Sequence, residues 1–114
     1  MLSAMSAKFD IPEEVRIRGR LWRVALAGDG PREEHRLHWQ YAGVANREKR
    51  IILIRRTMSI REKRATLLHE LMHACVERTD PPVSDDAEEK FITHVEVPLL
   101  RVLEALDWTP QVPK

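Results

Sequence analysis

One helical segment constrains this chain more than any other feature of its sequence. Residues 59–62 have the pattern of a capping box, in which the Ser59 hydroxyl accepts a hydrogen bond from the backbone N–H of Glu62 and the Glu62 carboxylate accepts one from the backbone N–H of Ser59. Apolar residues then recur at helical spacing from Ala65 onward. We therefore predict a helix of about five turns that ends at Arg78.

Two histidines and a glutamate lie in the middle of this predicted helix, in the order His69-Glu70-Leu71-Met72-His73. Side chains four residues apart project from one face of a helix, so the two imidazoles can chelate one ion. Imidazole nitrogens suit zinc, and a catalytic zinc site needs three protein ligands, so a third ligand must come from another element. Glu70 can instead act as a general base that takes a proton from an attacking water molecule.

A second helix is predicted downstream, and its first turn carries the candidate third ligands. Residues 85–88 form another capping pattern, and an apolar stripe follows from Ile92 to Leu106. Pro98 lies inside this stripe and is expected to kink the helix or to split it. Glu88 and Glu89 both stand near the start of the helix, and Glu88 lies closer to the centre of the apolar stripe, so the helix geometry leaves both open.

Short alternating or β-branched runs precede the helices and predict a sheet. Residues 15–17 and 21–26 are predicted to form two short strands of a hairpin, residues 39–44 a third strand, and residues 51–54 a fourth. The fold class predicted is α+β, with a small, mainly antiparallel sheet of three or four strands followed by two long helices. The predicted organisation is a flexible leader over residues 1–12, one domain over residues 13–108 and a tail over residues 109–114.

Composition narrows the classes of partner. Nineteen basic and eighteen acidic residues leave a formal net charge of +1, so no long-range field attracts nucleic acid or an anionic membrane. Residues 47–64 are locally basic, with eight basic and two acidic residues, but no stacking aromatics are interleaved with them. No apolar run is long enough to span a bilayer. Cys75 is the only cysteine, and its side chain is expected to be buried. A single cysteine cannot form a disulfide within the chain, which favours a cytoplasmic protein.

On these motifs the chain resembles a family: the minimal, often phage- or prophage-encoded zinc peptidases related to the ImmA/IrrE type, which belong to the glutamate-zincin group. The resemblance covers residues 15–106 and rests on residues 67–74 and 88–92. It implies a small sheet, a helix with the His-Glu-x-x-His motif, and a following helix whose early glutamate completes the metal site. The family's spacing of apolar residues fits when it is counted from Glu89, which assigns Glu89 rather than Glu88 as the third ligand.

The resemblance implies a function and a mode of substrate binding. One zinc ion would be held by His69, His73 and Glu89, and Glu70 would serve as general base in the hydrolysis of a peptide bond, in an endopeptidase more than in an exopeptidase. The partner is then a protein or peptide substrate. In such enzymes the strand ahead of the active helix is commonly a sheet edge that pairs with the substrate, and residues 50–56 occupy that place.

Two other classes of function compete with this hypothesis. One is a non-catalytic interaction protein that keeps a metal site, such as a phage protein that blocks a host factor. The other is a nucleic-acid binder that uses the basic residues 47–64. Further side chains that could reach the site are His35, His38, Tyr41 and His94, and none of the four is expected to act in it.

Overall fold

A computed structural model describes residues 11–76 and 83–105 of the chain. The strands are β1 (Glu14–Ile17), β2 (Arg20–Ala27), β3 (Gly43–Asn46) and β4 (Ile51–Arg55), and the helices are α1 (Ile60–Cys75) and α2 (Asp85–Ala105). This arrangement confirms the predicted α+β class, with a sheet followed by two helices. Residues 1–10 of the predicted leader and the whole predicted tail lie outside the described residues.

The four strands form one sheet in the order β1-β2-β4-β3. Strands β1 and β2 pair antiparallel, as do β3 and β4, while β2 and β4 pair in parallel. The β1–β2 turn consists of Arg18 and Gly19, both at positive φ (52° and 77°). A two-residue turn that matches the twist of a hairpin requires positive φ at both residues. The predicted hairpin and the mainly antiparallel sheet are therefore confirmed.

One face of the sheet and one face of α1 form the core. Trp22 and Val24 of β2 lie beside Ile52 and Ile54 of β4, and the two isoleucines are completely buried. Leu67 of α1, only 1% exposed, packs onto this layer. Because successive strand residues point to opposite faces, the spacing of two between the buried residues directs them all toward α1. The core thus holds the middle of α1 firmly against the sheet.

The third strand begins later than predicted. Residues 39–42 are a turn and irregular chain, and β3 begins only at Gly43. Arg55 accounts for the difference, because its guanidinium donates to the carbonyl of Tyr41 (Nε, 2.9 Å) and to that of His38 (Nη2, 2.6 Å). A side chain therefore satisfies carbonyls that a strand ladder would otherwise use.

Helix α1 begins as predicted and ends earlier. The backbone N–H of Glu62 donates to the Ser59 hydroxyl (3.1 Å), and that of Ser59 donates to the Glu62 carboxylate (3.0 Å), so the capping box is confirmed. The helix ends at Cys75, and Val76 is extended, so the helix does not continue through Val76 as predicted. Residues 77 and 78 of the predicted helix lie outside the described residues. Cys75 is exposed rather than buried.

We expect Ser59→Ala to destabilise the fold by about 1 kcal/mol, because it removes the side-chain acceptor for the N-terminus of the helix. In a domain of this size the loss corresponds to a fall in Tm of about 4–8 °C. Thermal unfolding of Ser59→Ala and of the neighbouring control Thr57→Ala measures the effect. Equal melting temperatures for the two variants would show that the capping box contributes nothing to stability.

Helix α2 begins one residue earlier than predicted, because its cap is Ser84 and not Asp85. The hydroxyl of Ser84 accepts from the backbone N–H of Ala87 (3.1 Å), so Ser84 caps the helix and Asp85 is already helical. The helix continues through Pro98 without being split. It packs against α1, and its buried residues are Glu88 and Ile92. Within residues 11–76 and 83–105, neither helix combines the length and apolarity needed to cross a membrane.

Candidate metal centre

The middle of α1 brings the two histidines together at the contact with α2. The ring centroids of His69 and His73 are 5.0 Å apart, one helical turn along the same face. Each ring turns its Nε2 atom toward the carboxylate of Glu89, at 2.8 Å from His73 and 3.4 Å from His69. The three residues offer ligand atoms that all lie within 4.8 Å of one another. They form the only such group of three among the described residues.

The other ring nitrogen of each histidine meets a different carboxylate. Nδ1 of His69 lies 2.5 Å from Glu96, and Nδ1 of His73 lies 2.5 Å from Glu88. A carboxylate that accepts from Nδ1–H holds the ring in place and leaves the Nε2 lone pair free to bind a metal. Both histidines are therefore oriented so that Nε2 faces Glu89.

This set of donors fits a zinc ion. Two imidazole nitrogens and one carboxylate make up one of the three-ligand sets of catalytic zinc sites, in which the fourth position takes water or substrate. The carboxylate must be ionised to act as a ligand. Without an ion between them, burial opposes ionisation of Glu89, but the hydrogen bond from Nε2–H of His73 and the charge of His69 outweigh it and lower the pKa of the Glu89 carboxyl. A bound ion would replace the proton on Nε2 of His73.

The two glutamates that the sequence left as alternatives occupy different positions. The side chain of Glu89 is 51% exposed and faces the Nε2 atoms, whereas that of Glu88 is 9% exposed and faces Nδ1 of His73. Glu88 is thus outside the group of three that could hold an ion. Adjacent residues on a helix point about 100° apart, which is why only one of the two can face the ring tips.

Arg47 joins the sheet to this cluster. It follows β3 in the chain, and its Nη2 donates to Glu88 (2.6 Å) and to the backbone carbonyl of His73 (2.7 Å). Burial opposes ionisation of Glu88, but the hydrogen bonds from His73 and Arg47 outweigh it and lower the pKa of its carboxyl. A fixed cation therefore keeps Glu88 charged and so holds it as a strong acceptor for His73.

Glu70 lies on the sheet side of α1 and is buried, at 8% exposure. This burial raises the pKa of the Glu70 carboxyl, against the opposing charges of His69 and His73. Strand β3 approaches closely here, since a Cβ atom at Gly43 would lie 3.2 Å from Cγ of Glu70 and 2.7 Å from Cγ2 of Thr66. Glycine at position 43 thus lets the strand run directly past Glu70.

Glu96 and Arg47 are the residues that the sequence-based interpretation missed. Glu96 could have been found, because it lies seven residues after Glu89 and so shares its helix face. Arg47 carries no such signal, since it meets His73 and Glu88 only through the tertiary fold. Of the other side chains considered, Tyr41 lines a groove together with His69 and Glu70, whereas His94 is exposed on α2.

The strand expected to be a sheet edge is internal. Residues 51–55 form β4, which has β2 on one side and β3 on the other, so its backbone is not open to a substrate. The expectation that residues 50–56 pair with substrate is therefore wrong. The edge strand next to the candidate metal centre is β3, and residues 43–45 line the same groove as His69, Glu70 and His73.

Basic residues of the stretch 47–64 make contacts within the fold. Arg47 pairs with Glu88, Arg55 donates to two loop carbonyls, and Arg56 pairs with Glu33 at 2.9 Å. These three arginines are therefore engaged in holding loops and helices in place.

Comparison with known proteins identifies one family. A family model described as the IrrE N-terminal-like domain, which defines a peptidase family, matches residues 27–97. The match includes β3, β4, α1 and the part of α2 that carries Glu88, Glu89 and Glu96. No curated protein and no solved structure shows a significant match to the chain.

Proposed function

This chain belongs to the IrrE N-terminal-like family of peptidases, and from that premise we propose that it is a zinc-dependent metallopeptidase of the glutamate-zincin type that cleaves protein or peptide substrates. The observation that carries the proposal is the convergence of His69, His73 and Glu89, whose ligand atoms lie within 4.8 Å of one another. The buried Glu70 directly follows His69 in α1. In this proposal the three converging residues hold one zinc ion.

Zinc bound at such a site would polarise the substrate carbonyl and make water more acidic. The protein's own residues then have two tasks, to orient the ligands and to move protons. Glu96 and Glu88 orient the imidazoles of His69 and His73 through their Nδ1 atoms, and Arg47 holds Glu88. These contacts support a site that is preorganised, so that binding an ion requires little rearrangement.

Glu70 is the proposed general base. Its carboxylate would take a proton from the attacking water molecule and deliver a proton to the amine that leaves. Burial raises the pKa of Glu70, which makes its carboxylate a better proton acceptor than an exposed one. The reaction is thus hydrolysis of a peptide bond without a covalent intermediate.

Strand β3 is the proposed docking edge for the substrate backbone. An extended peptide that added to residues 43–46 would gain main-chain hydrogen bonds with little dependence on sequence. Two cavities, of about 350 and 560 Å³, extend from Glu70 in different directions and share Tyr41, Gly43, His69 and Glu70 in their linings. A groove that continues on both sides of the base suits cleavage within a chain and supports an endopeptidase.

We expect the purified protein to contain about one zinc ion per chain, as a site of this type with three protein ligands does, and to cleave an unfolded protein such as labelled casein. A chelator should abolish cleavage because it removes the ion. Added zinc should restore cleavage because the folded chain still supplies the ligands. Metal analysis and a fluorescence assay of cleavage measure the two properties. Cleavage that survives complete removal of metal would contradict the proposal.

A further inference from the structure

A cavity of about 350 Å³ lies next to His69 and Glu70, and neither His73 nor Glu89 lines it. Its charged lining residues are His69, Glu70 and Glu96, and Glu96 is already bound to His69. Its other walls are formed by apolar or uncharged residues. Those from the helices are Ala65, Thr66, Leu68, Val97 and Leu100. We call this space the apolar cavity.

A loop held in a defined position forms the remaining wall of the apolar cavity. Gln40 and Tyr41 line it, and the carbonyl groups of Tyr41 and His38 accept hydrogen bonds from Arg55. The backbone N–H of Tyr41 also donates to the carbonyl of His38 (2.9 Å). The wall is thus tied to β4 and is formed before any ligand arrives, which reduces the entropy lost on binding.

The apolar cavity is continuous with the groove that crosses the metal centre. Tyr41, Gly43, His69 and Glu70 line both spaces. A peptide extended along β3 and past Glu70 would point alternate side chains to opposite faces. One side chain close to the cleaved bond would then enter the cavity.

We propose that the apolar cavity binds one apolar side chain of the substrate, of about the size of leucine or methionine, next to the bond that is cleaved. The inference rests on the proposed peptidase function. Its volume is at the small end of the range for ligand pockets, which suits a side chain with its peptide groups rather than a folded element. An uncharged polar side chain such as that of asparagine would lose its hydration against the apolar walls formed by Leu68, Val97 and Leu100. Ala65 and Leu100, on opposite helices, set the size limit.

Binding of small amides to the zinc-loaded protein tests the side-chain preference directly. N-acetyl-leucine amide should shift the methyl NMR signals of Leu68, Val97 and Leu100 and bind about tenfold or more tightly than N-acetylglycine amide or N-acetyl-asparagine amide. Ala65→Leu fills the cavity and should weaken binding of the leucine amide by about tenfold or more. Ala105→Leu, the same change at an exposed position on α2, should leave it unaltered. Equal binding of the three amides, or unaltered binding to Ala65→Leu, would overturn the proposal.

A second variant covers the case in which Ala65→Leu fails to fold or to retain zinc. Leu100→Ala enlarges the cavity, so N-acetyl-tryptophan amide should gain affinity relative to the leucine amide. An unchanged order of affinities in Leu100→Ala would also overturn the inference. Cleavage assays separate the two proposals. Binding of the leucine amide without any cleavage would contradict the peptidase function but support the side-chain site. Cleavage without a side-chain preference would support the peptidase function and contradict the side-chain site.

Discussion

Replacing Glu70 with glutamine is expected to leave the protein folded and loaded with zinc but to lower kcat/KM for cleavage by about 10²–10⁴-fold or more. The amide has the shape of the carboxylate but cannot accept the proton of the attacking water. Because Glu70 is buried, with 8% exposure, removing its charge also removes a cost of desolvation, so stability should not fall. Rates of peptide cleavage, zinc content and melting temperature are measured on the same preparation.

The control for this variant is Glu48→Gln, which makes the same change at an exposed position in the turn between β3 and β4. It should retain full activity. Equal activity of Glu70→Gln and the unmodified protein would exclude Glu70 as the base. Loss of zinc from Glu70→Gln would instead show that Glu70 acts on the metal site, and the separation of base from ligands would be wrong.

Matched substitutions at Glu88 and Glu89 should have unequal effects on zinc binding. Glu89 faces the Nε2 atoms of both histidines, so Glu89→Gln removes the charged ligand and should abolish stoichiometric zinc at concentrations that saturate the unmodified protein. Glu88 contacts Nδ1 of His73, so Glu88→Gln should weaken zinc binding by about 10–100-fold, as changes to groups that orient a ligand do. Competition with a chromophoric chelator measures both affinities.

Arg47→Gln provides an independent check on this assignment. Because Arg47 acts on His73 through Glu88 and through the His73 carbonyl, its loss should resemble Glu88→Gln and not Glu89→Gln. Lys49→Gln, in the same turn, should have no effect on zinc affinity. The absorption spectrum of the Co²⁺-substituted protein reports the ligand set, and it should change for Glu89→Gln. A larger loss of zinc from Glu88→Gln than from Glu89→Gln would reverse the assignment.

Features that depend on neighbours within a few residues were predictable from the sequence. The capping box of α1 is one example, since its two hydrogen bonds join Ser59 and Glu62 only. The β1–β2 hairpin is another, because a two-residue turn sets the register of the strands that flank it. The third strand was misplaced for the opposite reason: Arg55, distant in sequence, binds the carbonyl of Tyr41 and delays the start of β3.

The position of β4 within the sheet also could not be predicted. A run of β-branched residues indicates a strand but not its neighbours, and whether β4 lies at an edge depends on the parallel pairing with β2. Once that pairing forms, β3 is left as the edge strand beside the candidate metal centre. The proposed substrate edge therefore moved from residues 50–56 to residues 43–46.

What the sequence by itself determined is the local part of the site: His69 and His73 one turn apart on a capped helix, with Glu70 between them on a different face. The helical repeat alone dictates this geometry. Only the tertiary structure decided how the carboxylates of α2 are distributed, with Glu89 at the Nε2 atoms and Glu88 and Glu96 at the Nδ1 atoms. The physical reason is that the rotation of α2 about its own axis is set by its packing against α1, and adjacent residues differ by about 100° in direction.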